Sequence, residues 1–217
     1  MKVNGVHFDD IHSYDDLNLF LAPFVIAPAE PKTSYVDIPG GDGSLDMTEA
    51  HGEVRFKDRE FTFTFTVNPA ETMTFDEKVM QVSNALNGKK CKIVLDRDAD
   101  YYWQGRCEVN HYVQDRNLKQ IVVIARVNPY KYKKDVTNVS FELTGEEKTI
   151  TLYNGRKSVV PEITCTNKNT TIVFGSVEAM LGAGTFKVLD IYLKEGENTL
   201  KVSGTGTISF KYQEASL

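Results

Sequence analysis

The stretch REFTFTFTVNPAETMTFDEKVMQVSNALNG, residues 59–88, holds two periodicities in succession, and the fold is read outward from it. From Arg59 to Val67 the side chains alternate strictly. Phe61, Phe63 and Phe65 fall on one face and Thr62, Thr64 and Thr66 on the other, the period of a strand with one buried side. From Phe75 the period lengthens: Phe75, Val79, Val82 and Leu86 stand at i, i+4, i+7 and i+11, one face of a helix. Thr74 with Glu77 reads as a capping box at its start, and Gly88 suits the left-handed residue at its end. A strand that turns three phenylalanines to one side needs cover, so this helix is expected to pack on the sheet that carries them.

Strand signals continue on the C-terminal side. KCKIVLD, the polar turn RDAD, YYWQGRCEVNHYV and QIVVIARV read as a meander. Continuity breaks at NPYKYKKDVTN, which sets the expected domains at 1–133 and 134–217. Beyond the break VSFEL, KTITLY, EITCT, TIVFG, TFKVLDIYL, NTLKVSG and TISFKYQ are strand candidates, with turn signals at Asn154-Gly155, Glu195-Gly196 and Gly204-Thr205-Gly206. Short strands at this spacing predict a β-sandwich or jelly roll.

Bulk properties narrow the function. The 217 residues carry a net charge of −5, with nine Lys/Arg against ten Asp/Glu from Lys134 onward and sixteen against twenty before it. Neither part has the basic stripe that draws a protein to phosphate backbones, so no specific nucleic-acid partner is expected. Cys91, Cys107 and Cys165 are odd in number and form no CxxC, which reads as small buried thiols in a reducing compartment. The early Asp9 and Asp10 argue against a secretion signal. LFLAPFVIAPA, from Leu19, holds two prolines and is too short to span a bilayer, so no membrane partner is expected either.

Reactive centres are scarce. DIPGGDGSLDMTEAHGE, Asp37–Glu53, sets four glycines among five acidic residues. A phosphate loop needs Lys and Ser/Thr after its last glycine, and Gly43 is followed by Ser44-Leu45-Asp46. Asp42, Ser44, Asp46 and Glu53 match positions 1, 3, 5 and 12 of a calcium loop, but Met47 stands where that loop needs glycine and the flanks read as strands. The preferred reading is a tight turn, with glycines at positive φ and aspartates bonding nearby amides. His7, His12, His51 and His111 have no triad or metal spacing, and Cys165 has no histidine in its own domain. Asp96, Asp98 and Asp100 read as a hairpin turn rather than a glycosidase pair. No catalytic residue, cofactor or metal is expected. Tyr101 and Trp103 share one strand face, with Tyr102 on the other; they are candidates for an aromatic contact, in the core or an interface before a sugar site.

In sum VNGVHFDD, YDDLNLFL, VDIPGGDGSLDMTE, RFKDREFTFTF, the helix at Phe75 to Leu86, YYWQGRCEV and SGTGTISFKYQEASL resemble the distal tail protein family of long-tailed, non-contractile phages and related prophages. The resemblance covers nearly the whole chain. It implies a mainly β protein, an N-terminal β-sandwich with one packed α-helix followed by a C-terminal galectin-like β-sandwich. It implies a structural tail-tip protein of the virion, assembled in the host cytoplasm as a homo-hexameric ring. The implied partners are the tail tube protein, the tail-associated hub protein and a receptor-binding protein. Pro39, Gly40, Asp42 and Gly43, with Arg59 after them, would then face a neighbouring subunit. Family members with sugar-binding inserts have loops longer than any here. The alternative function is a carbohydrate-binding, lectin-like recognition protein; a hydrolase rests only on scattered carboxylates.

Overall fold

The structure, a computed structural model, describes residues 4–50, 52–116 and 118–217. His51, and the first residue of VNGVHFDD, lie outside it. The chain forms two compact units, the first running to Lys131 and taking in Leu217, the second spanning Tyr132–Ser216.

In the first unit come β1 (Val6–Phe8), β2 (Ile11–His12), β3 (Leu19–Leu21), β4 (Tyr35–Asp37), β5 (Ser44–Asp46), β6 (Arg59–Val67), α1 (Phe75–Leu86), β7 (Lys90–Leu95), β8 (Tyr101–Gln114) and β9 (Lys119–Val127). Seven of these strands make one antiparallel path, β2-β1-β7-β8-β9-β6-β3. Four strand steps in a flat sheet would put β1 and β6 about 19 Å apart. Yet the ring of Phe8 on β1 meets Phe63 of β6 edge-on at 5.7 Å between centroids, and Phe65 at 6.3 Å. The sheet is therefore curled until its two halves face each other across one core, and a single sheet does the work of two layers.

As the alternation predicted, Phe61, Phe63 and Phe65 are fully buried in that core, and Phe75, Val82 and Leu86 of α1 close over it. Thr74 and Glu77 form the capping box, and Gly88 takes φ 74° just past the helix. One expectation shifts: Val79 is half-buried, and Lys78 takes the inward place between Phe75 and Val82.

The second unit opens within β10 (Lys131–Lys133) and continues through β11 (Thr137–Thr144), β12 (Lys148–Asn154), β13 (Glu162–Cys165), β14 (Thr170–Phe174), β15 (Val177–Leu181), β16 (Gly184–Phe186), β17 (Gly196–Ser203), β18 (Thr205–Tyr212) and β19 (Ala215–Ser216). Two four-stranded antiparallel sheets, β11-β18-β13-β16 and β12-β17-β14-β15, enclose a shared core of Ile150, Leu152, Ile163, Ile172, Leu200, Val202, Ile208 and Phe210. This is the sandwich expected. TFKVLDIYL is an exception, being strand only at its start. The chain turns at Leu189-Asp190, where Ile191 N–H donates to Val188 O at 3.0 Å, leaving Leu189 exposed while Ile191 and Leu193 return to the core. VEAML, passed over in the sequence, is β15, brought back onto β14 by a turn at Gly175, φ 58°.

Candidate functional site

Between β3 and β6 the chain leaves the core as an arm. Its root is a pair of antiparallel legs: Lys32 N–H donates to Arg55 O at 2.7 Å, Lys57 N–H to Glu30 O at 2.8 Å, and the Lys57 ammonium meets the Glu30 carboxylate at 2.6 Å. Arg59, first residue of β6, clamps this root. Its guanidinium donates to Ala27 O at 2.5 Å and to Pro129 O at 3.3 Å, and sits 5.5 Å from the Phe61 ring centroid. Burial lowers the Arg59 pKa, and its Nε, itself buried, has no partner among the described residues.

At the far end β4 and β5 pair only with each other, in the register Tyr35↔Asp46, Val36↔Leu45 and Asp37↔Ser44. The turn between them contains Pro39, Gly40, Asp42 and Gly43. Gly40 and Gly43 have φ of 77° and 76° with open space where a Cβ would stand, so glycine is needed there for conformation and not for packing. Asp46 accepts from Thr48 N–H at 2.9 Å, and the Thr48 side chain first, with this backbone bond second, lowers the Asp46 pKa. Asp46 thus bonds a nearby amide as the preferred reading expects, just beyond β5. Of the five residues expected at a subunit contact, four stand at the tip and Arg59 at the root.

An isolated two-stranded hairpin is marginal in water, and this one is apolar as well. Tyr35, Val36, Ile38, Leu45 and Met47 are 59, 53, 50, 53 and 39% exposed. The same tip carries Asp37, Asp42, Asp46 and Glu49 without a Lys or Arg among residues 35–49. The tip thus concentrates exposed apolar surface on an element that pairs with no other strand among the described residues.

The outer face of the curled sheet carries a groove of about 740 Å³ over β7, β8, β9 and β6. Register places Lys90, Arg106 and Arg126 side by side across its floor, with Glu60 next to Arg126 and Asp58 and Glu108 along the border. Like charges directly opposite on neighbouring strands destabilise a sheet.

The aromatic candidates part company. Trp103 is 4% exposed, edge-on to Phe61 at 5.3 Å, and so has no open face for a sugar. Tyr101 is half-buried under the Lys131 ammonium, 4.3 Å from its ring centroid, while that ammonium bonds Asp98 at 2.7 Å. Cys91, Cys107 and Cys165 are buried and free, and burial raises all three pKa values, which leaves the thiols as unreactive packing. Spacing in the sequence missed one cluster: His7, His12 and Asp96, separated by as many as 89 positions, converge with one ligand atom each within 4.8 Å of the others.

Comparison with known proteins supplies the family. The model for the phage tail protein RIFT-related domain matches residues 11–153, which is more than half the chain and runs into β12 of the second unit. No curated protein matches it in sequence. Among solved structures it is similar to the Dit protein of phage SPP1, described as a paradigm of the hub adsorption apparatus of phages that infect Gram-positive hosts. The TM-score is 0.71 at 15% identity, covering 98% of this chain and 99% of that one. At that identity the likeness establishes the mainly β fold, and together with the family match it bears out the resemblance read in the sequence. The chain belongs to the phage tail proteins that carry the RIFT-related domain.

Proposed function

We propose that this phage tail protein is a distal tail protein, a structural piece of the tail tip whose copies close into a six-fold ring between tail tube and adhesion apparatus. The observation that carries the reading is the arm, a hairpin with five exposed apolar side chains and no cover of its own. A head-to-tail contact closes into a ring when its rotation divides a full turn. The arm tip and the groove supply unlike surfaces for such a contact. The acidic, apolar tip of one copy meets the Lys90-Arg106-Arg126 row of the next, relieving the repulsion within that row. Ring faces and the second unit are left for the tail tube protein, the tail-associated hub protein and a receptor-binding protein, with assembly in the host cytoplasm. No helix of the described residues is long and apolar enough to cross a membrane.

Mass measurement by light scattering, with negative-stain images, tests this on the full chain alone and with tail tube and hub proteins of the same phage. Six-fold rings are expected, and Val36→Asp with Leu45→Asp is expected to leave monomers. A parent chain that stays monomeric and binds neither protein would overturn the reading.

A further inference from the structure

We propose that His7, His12 and Asp96 form a binding site for a divalent first-row transition ion such as Zn²⁺, at the strand edge of the first unit. His7 and His12 are register partners across the β1–β2 hairpin, with ring centroids 4.5 Å apart. Asp96 comes from the turn after β7. Its carboxylate stands between the rings, Oδ1 3.4 Å from His7 Nε2 and Oδ2 3.3 Å from His12 Nε2.

Those separations distinguish two arrangements. Hydrogen bonds from an imidazole to a carboxylate run about 2.7–2.9 Å when charge-assisted, and both contacts here are longer. A tetrahedral ion that holds nitrogen and oxygen at about 2.0–2.1 Å keeps neighbouring ligand atoms about 3.3–3.4 Å apart. Each histidine stands at that edge from its own carboxylate oxygen, Oδ1 for His7 and Oδ2 for His12, and the three ligand atoms as a set lie within 4.8 Å, so an ion on one oxygen draws the set closer. Imidazole with carboxylate is a donor set suited to zinc, cobalt or nickel.

The surroundings hold the cluster in place. His12 is buried, its Nδ1 faces the Asp15 carboxylate at 2.8 Å, and its backbone N–H donates to Asp16 Oδ2 at 2.6 Å. Asp15 meets His12 Nδ1 with its backbone N–H, at 3.2 Å, as well as with its carboxylate. In the tautomer whose Nδ1–H donates to that carboxylate, Nε2 is available to an ion, the arrangement that orients a metal-bound histidine. Gly5 donates its N–H to Asp96 Oδ2 at 2.9 Å, and a Cβ there would fall 2.3 Å from His12 Nε2. Glycine therefore leaves the space beside the ligand nitrogen open. The His7 side chain is 41% exposed, which gives an ion a way in and leaves a fourth position for water or a donor from another protein. The site stands apart from the arm and does not depend on ring formation.

The test uses the full chain without a histidine tag, stripped with chelator and titrated with Zn²⁺ by calorimetry, with Co²⁺ as a visible probe. Saturable binding of one ion per chain is expected, with a raised Tm and the intense visible bands of tetrahedral cobalt. His7→Ala changes an exposed side chain, so it should fold; it is expected to lose at least about tenfold in affinity, and Asp15→Asn about 10–100-fold. Gly5→Ala is expected to abolish the cobalt bands, while His111→Ala, on distant β8, binds as the parent does. No saturable binding by the parent, or equal affinity in His7→Ala, overturns the proposal.

Discussion

Lys78 shows at the residue scale what periodicity leaves out. It sits on the inward stripe of α1, 2% exposed, and its ammonium is satisfied by three acceptors: Glu71 at 2.5 Å, Gln81 at 2.8 Å and Leu17 O at 3.0 Å. In return Lys78, the Met73 N–H and Asn18 hold the Glu71 carboxyl at about 2 against an ordinary 4.5, although burial opposes them. A depressed carboxyl pKa means that the unfolded chain takes up the proton more readily. The pair's contribution is therefore complete above about pH 4.5 and is lost as pH falls toward 2. Glu71→Gln leaves the buried ammonium without its counter-charge and should cost about 3 kcal/mol at pH 7. Denaturant midpoints for parent and variant should then draw together as pH falls from about 5 toward 2; curves that stay parallel would refute the pairing. Nothing in the sequence announces this network, because Glu71 lies outside the helix that carries Lys78 and Gln81, and Leu17 and Asn18 come from a separate segment. The same holds for His7, His12 and Asp96, whereas Phe61, Phe63 and Phe65 were legible because a strand's period is local.

At the scale of elements, strands with one buried face were readable and irregular ones were not. β6, α1, β7, β8 and β9 follow their patterns, since each buries alternate or i, i+4-spaced side chains in one core. TFKVLDIYL misled because Phe186, Val188, Ile191 and Leu193 are all at least partly buried, yet the chain reaches them through a turn. The arm's hairpin was legible as a turn, but its isolation was not, because exposure depends on what fails to cover it. Gly105 in β8 is a further signal that the sequence carried, since glycine inside a strand marks close approach of another backbone. A Cβ at Gly105 would lie 2.4 Å from Arg126 O and 2.6 Å from Val127 Cγ1, at the end pair of the β8–β9 ladder. Gly105→Ala must push the two strands apart, an overpacking worth about 3 kcal/mol. Thermal unfolding measures it, and an unchanged Tm would show that the ladder yields at no cost. Because Gly105 also floors the groove, the variant should weaken self-association too.

For the whole molecule, the two units have separate cores with no residue in common, so each gathers its own hydrophobic stabilisation. The sequence suggests a break at NPYKYKKDVTN from its lapse in strand continuity, and the two units divide between Lys131 and Tyr132. What that reading lacked was the division of labour between cores and arm. None of the described residues from 33 to 50 is buried, so the arm beyond its root adds nothing to either core. Its ends are already joined, because Lys32 N–H bonds Arg55 O at 2.7 Å. A two-residue glycine-serine turn between Lys32 and Arg55, in place of residues 33–54, should therefore close without strain. Changes on exposed surface cost about 0.5 kcal/mol or less, which for a chain of this size is a shift of about 2 °C in Tm. The shortened protein should melt within that margin of the parent and fail to form rings or join the tail tube protein. If Tm collapses, the arm braces its own unit; if rings persist, the copies meet through another surface.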